Sequence, residues 1–238
     1  MDIKGKKILI TGAAVRIGRE IAIALAMKGA SIVIHCFKSR NEASRLLQEL
    51  DKFSSGNELI VANLSNYRSI NQKIFPKLPD IDILINNAAS FYNCRLLEED
   101  ISKARRQFEL NFWAPYFIMK EFRNKRDGKD SLIINILDYR IKKPAISDGT
   151  YLITKDSLHK LTKLAALQWA PKIRVNAVAP GFVIPPKGME NSNMDKSLKK
   201  VPLGKPTALS SIASACVFLT ENDAITGQTI YMDGGASL

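Results

Sequence analysis

Short apolar runs alternate with amphipathic stretches along the whole chain, and this alternation constrains the fold more than any other feature. Runs over 7–11, 31–35, 58–62, 81–86, 132–137, 174–178 and 228–232 are mostly rich in Ile, Val and Leu, as strands buried on both faces are. Between them, the stretches 16–28, 40–52, 67–75, 102–125, 151–169 and 208–219 carry apolar residues at helical spacing. Such alternation predicts an α/β protein of the doubly wound kind, with a seven-stranded parallel sheet and helices on both faces. The 238 residues suffice for one such domain, and no internal repeat, low-complexity tract or linker divides it, so 1–238 reads as a single unit. The least regular stretch, 182–207, contains Pro185, Pro186, Pro202 and Pro206 and follows the sixth strand. It reads as a substrate-binding loop over the C-terminal edge of the sheet.

The bulk composition excludes several classes. No apolar run approaches the roughly 20 residues of a membrane span, and the first residues lack the apolar core of a secretory signal. Cys36, Cys94 and Cys216 are odd in number and widely spaced, which speaks against a disulfide framework and for the reducing cytoplasm. The net charge of +12 is spread over small clusters at 4–7, 123–129, 140–143 and 196–200, without interleaved aromatics. That is the pattern of a lysine-rich solvated surface that attracts small anions, and no nucleic-acid partner is expected. His159 has no second ligand at metal spacing, so no metal is expected, and nothing around Cys94 marks an activated thiolate.

The chemistry begins at Thr11-Gly12-Ala13-Ala14-Val15-Arg16-Ile17-Gly18, between the first strand and the first helix. A glycine-bearing strand-to-helix turn presents backbone N–H groups and a helix N-terminus to a pyrophosphate. The end of the second strand then selects the dinucleotide: an acidic residue there suits the ribose of NAD, and basic residues suit the 2′-phosphate of NADP. Here His35-Cys36-Phe37-Lys38-Ser39-Arg40 contains no acid, and Lys38, Ser39 and Arg40 offer charge and a hydroxyl, so NADPH is the expected cofactor. Further on, Tyr151 and Lys155 lie four apart and share a helix face. A lysine ammonium beside a tyrosine would lower the phenol pKa and give an acid/base group. The pair is common by chance, but it follows Asn86-Asn87-Ala88 at the end of the fourth strand, Asn111 in a helix, and Asp138 at the end of the fifth strand.

That ordered set resembles the short-chain dehydrogenase/reductase family, a Rossmann-fold family, along essentially the whole chain as far as Thr226-Gly227 and Asp233-Gly234-Gly235. The resemblance implies catalytic roles for Tyr151 as acid, Lys155 as its tuner and ribose ligand, and Asn111 in a proton relay. It implies cofactor contacts from Gly12, Arg16, Ile17 and Gly18, from His35, Phe37, Lys38 and Ser39, and from Asn63 and Leu64, where Asn63 replaces the usual aspartate at the adenine. Asn87, Ala88 and Ala89 belong to the same set, as do Tyr151, Lys155, Pro180, Gly181 and Val183 beside the nicotinamide and its ribose.

Three departures point to one branch. Asp138 stands where most members have serine, Arg16 where they have glycine, and Ala89, followed by Ser90-Phe91, where they have glycine. Together these resemble the pteridine reductases, including the bacterial dihydromonapterin reductases, and imply a substrate site of Arg16, Phe91, Asp138 and Tyr151. A flat heterocycle suits an aromatic platform, and reducing a C=N bond needs a proton at nitrogen that an Asp–Tyr pair can supply. The expected activity is therefore NADPH-dependent reduction of a dihydropterin, dihydromonapterin or dihydrofolate. The alternatives are a carbonyl reductase such as a 3-oxoacyl-carrier-protein reductase, and a non-catalytic NADP(H)-binding protein. A homotetramer is the expected assembly, with a dimer next.

Overall fold

The structure, a computed structural model, describes residues 1–126, 128–183 and 198–238. Seven strands form one all-parallel sheet: β1 (Lys7–Ile10), β2 (Ser31–Cys36), β3 (Glu58–Val61), β4 (Ile83–Asn86), β5 (Ser131–Ile136), β6 (Ile173–Pro180) and β7 (Thr229–Met232). Their order is β3-β2-β1-β4-β5-β6-β7. The direction of winding reverses between β1 and β4, and a crevice opens there at the carboxyl ends of the strands.

Both faces of the sheet are covered, and the strand sequences show why. In β1, Ile8 and Ile10 pack into one core and Leu9 into the other; in β4, Ile83 and Ile85 oppose Leu84; in β5, Leu132, Ile134 and Ile136 oppose Ile133. Because side chains alternate across a strand, a continuous Ile/Leu run feeds two cores at once. The first core is closed by α1 (Arg16–Ala26), α2 (Arg40–Leu50) and α7 (Leu209–Glu221), with α1 packed on α7. The second is closed by α3 (Tyr67–Lys73), α5 (Ala114–Lys125) and α6 (Gly149–Trp169).

One local reading changes. The helix expected over 102–125 is two helices, α4 (Ile101–Phe108) and α5, joined by a π-helical turn at Glu109–Trp113. A π turn inserts an extra residue per turn and so re-aims one side chain, here Asn111. Ser39 occupies the N-cap of α2 and makes no side-chain capping bond. Of the expected loop at 182–207, residues 184–197 lie outside the described residues. The segment after them returns to the body, where Leu203 N donates to Gly234 O at 3.1 Å. No helix among the described residues is long and apolar enough to cross a membrane.

Candidate active site

The turn after β1 is shaped by contact with the end of β4. Asn87 Nδ2 donates to Thr11 O at 2.9 Å and to Gly12 O at 3.0 Å, while the N–H groups of Asn87 and Ala88 donate to Thr11 Oγ1 at 2.9 and 3.0 Å. Gly12 has φ +65°, and a Cβ there would stand 3.0 Å from Ala88 Cα. At Gly18 a Cβ would collide with the carbonyl of Gly12 and come within 2.6 Å of Asn87 Nδ2. Both glycines are needed because two chain segments close on each other here. The side chain of Asn87 therefore holds the turn, and Ala88 and Ala89 follow it along the crevice.

Helix α1 then begins with no side-chain cap and no acidic residue in its first turn, so its positive end is not offset by its own side chains. Arg16, at that start, has φ +53° and is the one non-glycine with positive φ among the described residues. Such a conformation costs roughly 1–2 kcal/mol in a residue with a Cβ. A glycine would avoid that cost, so the arginine side chain is retained against local strain, as happens at functional positions. Ile17 is half-buried against the first core.

His35, the penultimate residue of β2, lies directly beneath the turn. Its ring is buried: Nδ1 accepts from Gly12 N at 3.1 Å and Nε2 faces Ala62 O at 3.0 Å. Burial holds its pKa down at about 4, so the ring is neutral, with its proton on Nε2. His35 supports the turn from below. Beyond it, Phe37, Lys38 and Arg40 are exposed and Ser39 is half-buried, and neither Lys38 nor Arg40 pairs with an acidic group among the described residues. Asn63 Oδ1 accepts from Ser65 N at 3.1 Å and keeps a second lone pair, while Leu64 is buried.

The catalytic candidates meet where β5 ends and α6 begins. Asp138 follows β5, and Tyr151 and Lys155 occupy successive turns of α6. Tyr151 Oη donates to Asp138 Oδ2 at 3.0 Å. The expectation that Lys155 lowers the phenol pKa is corrected. Burial first, and then the negative charge of Asp138, push it well above its ordinary value, with Arg140 opposing. Lys155 Nζ donates instead to Ile136 O at 2.8 Å and lies 5.9 Å from the Tyr151 ring centre. Burial lowers Lys155 to about 8, with Asp138 pulling the other way. The phenol is thus a neutral hydroxyl, a proton donor at rest. Phe91, half exposed, meets the Tyr151 ring edge-on with centroids 4.8 Å apart.

Asn111, expected in a proton relay, is buried in the π turn. Its carboxamide makes three hydrogen bonds: Oδ1 accepts from Ser90 N at 2.9 Å, and Nδ2 donates to Ser90 O at 2.9 Å and to Thr154 Oγ1 at 3.3 Å. The side chain ties the segment that carries Phe91 to α6, one turn beyond Tyr151. Residues the sequence reading missed complete the frame. Glu99 accepts from Thr150 N, Thr150 Oγ1 and Gln107 Nε2 at 2.8, 2.7 and 2.6 Å, capping the start of α6 from a distant loop. Buried Gln107 in turn accepts from Tyr92 N at 3.2 Å. Arg140 grips Asp138 through both carboxylate oxygens and also pairs with Asp148. No periodic pattern marks these residues; only the spacing Asp138-x-Arg140 in a short strand-end loop offered a signal.

Pro180 closes β6, and Gly181 N donates to Met232 O at 2.9 Å, fixing the strand end that leads to Val183. Cys94 has its thiol pushed up by burial and by Glu99. His159 lies outside this cluster and within 4.0 Å of Asp156. Among the described residues no group of three or more His, Cys, Asp or Glu could hold a metal ion.

Comparison with known proteins follows the same outline. A family model described as enoyl-(acyl carrier protein) reductase matches residues 12–237. Pteridine reductase 1 of Leishmania tarentolae is 31% identical, over 97% of this chain and 96% of its own length. L-xylulose reductase of Mus musculus is 30% identical, over 99% and 98%. Among solved structures, the FolM alternative dihydrofolate reductase 1 of Brucella canis, complexed with NADP, aligns with a TM-score of 0.85 at 28% identity, covering 100% of this chain and 96% of that one.

Proposed function

Because the chain belongs to the short-chain dehydrogenase/reductase family, we propose that it is an NADPH-dependent reductase of pteridine substrates, of the dihydropterin, dihydromonapterin or dihydrofolate type. The observation that carries this reading is the Tyr151 hydroxyl on Asp138, 3.0 Å apart, beside the half-exposed ring of Phe91. A ketone needs only a neutral hydroxyl pair at its oxygen. A carboxylate and an aromatic platform suit a flat ring with a nitrogen to protonate. The pteridine reductase and the FolM protein are similar along nearly the whole chain and support the same reading. The L-xylulose reductases favour the second reading, reduction of a carbonyl by the same Tyr151 and Lys155.

The turn fits a dinucleotide, since the close approach at Gly12 and Gly18 leaves backbone rather than side chain along the crevice. The end of α1 and Arg16 would hold the pyrophosphate, Lys38, Ser39 and Arg40 the 2′-phosphate, Lys155 the ribose, and the backbone near Val183 the carboxamide. When bound, reduced nicotinamide supplies the hydride. Phe91 and Arg16 orient the substrate ring. Tyr151 turns its hydroxyl from Asp138 to the substrate nitrogen and gives up its proton. The phenolate left behind is stabilised by the cations of Lys155 and Arg140, whose centres lie 5.9 and 5.5 Å from its ring.

Exposed Trp113 near the start of α5, together with Ile153, Leu164 and Leu167 on α6, supports self-association, as a homotetramer or, failing that, a dimer. The three free cysteines suit a cytoplasmic protein. Thermal unfolding with ligands tests the cofactor half of the proposal. NADPH is expected to raise the melting temperature more than NADH, with a dihydropterin adding to the shift only when cofactor is present. Lys38→Asp should weaken NADPH binding relative to NADH by about 10- to 100-fold. An unchanged ratio would remove the 2′-phosphate assignment.

A further inference from the structure

We infer that Arg140 is the positioning residue of this site: it fixes Asp138 as the hydrogen-bond acceptor of Tyr151 and sets the Phe91 ring against the Tyr151 ring, so that the proton delivered to substrate is the phenol's and not the carboxyl's. The inference rests on the catalytic pairing of Asp138 and Tyr151 proposed above. Three bonds join Arg140 to Asp138: its backbone N and its Nε each donate to Oδ1 at 3.0 Å, and Nη2 donates to Oδ2 at 2.8 Å. Oδ2 is the oxygen that also accepts from Tyr151. A planar fork bound to both oxygens fixes the plane of the carboxylate, and with it the direction from which the phenol must approach.

The other end of the guanidinium is anchored. Nη1 pairs with Asp148, whose Oδ2 accepts from Ala145 N at 2.7 Å and which directly precedes α6. Asp148 is buried and sits in a parallel bridge with Cys94, in the loop that follows Phe91. The guanidinium carbon also lies 5.0 Å from the Phe91 ring centre and 5.5 Å from that of Tyr151. One side chain therefore joins the end of β5, the start of α6 and the platform loop. Burial opposes its charge, but the hydrogen bonds and negative charges of Asp138 and Asp148 outweigh this and hold it further protonated. A cation that never releases its proton, bound across both oxygens, leaves Asp138 to accept and Tyr151 to donate. A lysine would supply charge without the fork.

The test uses full-length protein saturated with NADP⁺, carrying 13Cζ-labelled tyrosine, with the Tyr151 resonance assigned by Tyr151→Phe. Arg140→Gln and Arg140→Lys are both expected to move that resonance and change its dependence on pH, the glutamine variant more. The charged and titratable groups around the phenol are Asp138, Arg140, Asp148 and Lys155. On whichever substrate the unmodified protein reduces, kcat should fall about 10- to 100-fold, with little change in KM for NADPH. Lysine should restore part of the loss. If Arg140→Gln fails to fold, Asp148→Asn, which loosens the anchor and leaves the Asp138 bonds in place, should move the resonance less and in the same direction. Folded variants with an unmoved Tyr151 resonance and unchanged kcat would overturn the inference. A moved resonance without any pterin turnover would instead overturn the substrate proposal and leave the role of Arg140 standing.

Discussion

Tyr151→Phe is expected to lower kcat for the reductive reaction about 10²- to 10⁴-fold, the range lost when a positioned general acid is removed. Affinity for NADPH should stay nearly constant, because the phenol ring remains and only its hydroxyl goes. The reason is the state of that hydroxyl. Burial and Asp138 keep the phenol protonated well above the ordinary tyrosine range, and its one bond is to the carboxylate that must release it. Raising the pH removes charge first from Lys155, which titrates near 8, and not from Tyr151. The rate should therefore decline above about pH 8 as the cation that stabilises the departing phenolate is lost. Initial rates from pH 6 to 9, with NADPH binding followed by its fluorescence, check both parts. A variant retaining more than about a tenth of the wild-type kcat would remove Tyr151 from the proton step.

The second large effect lies in stability at acid pH. His35 is buried as the neutral ring, with a folded pKa of about 4 against an ordinary value of 6.5. Above pH 6.5 neither the folded nor the unfolded chain protonates it, so its contribution is constant. Below 6.5 the unfolded chain takes up a proton that the folded one refuses. Stability then falls with pH until the folded ring also titrates near 4, for a loss of about 3 kcal/mol. His35→Asn keeps an oxygen that can accept from Gly12 N, loses the bond to Ala62, and no longer titrates. Urea unfolding at pH 7 and pH 4 should show the wild type losing about 3 kcal/mol more than the variant. Parallel losses would mean that His35 is not held neutral under the turn. Since the ring carries the N–H of Gly12, protonation should also loosen the cofactor turn before the fold gives way.

How much of this was readable in the chain follows the range of the interactions. Gly12, Gly18 and the doubly wound sheet are written in local patterns, since each strand run feeds both cores and each turn has its own backbone demands. The strain at Arg16 was legible as a misplaced side chain where glycine is easier. Tyr151 and Lys155 were legible as a spacing, but the sign of the phenol's shift was not. It depends on how deeply α6 buries the hydroxyl and on which oxygen of Asp138 it meets. His35 read only as a cofactor contact, because its position near the end of β2 does not reveal that the turn folds back over it. Arg140 meets Asp138 two residues away, but its tie to Asp148 and the bonds of Glu99 to Gln107 and Thr150 span 8 to 51 residues of sequence, where no local pattern marks them. Asn111 was readable as a helix residue, but the π turn that aims it at Ser90 was not.

The proposed reaction is reduction of a C=N bond of a pteridine ring rather than of a ketone. Initial rates of NADPH oxidation with dihydrobiopterin, dihydromonapterin and dihydrofolate, against an acetoacetyl thioester, measure it directly. Turnover of at least one pterin or folate is expected, with kcat/KM well above that for the thioester. Turnover of the thioester alone, or of none of the four, would contradict it.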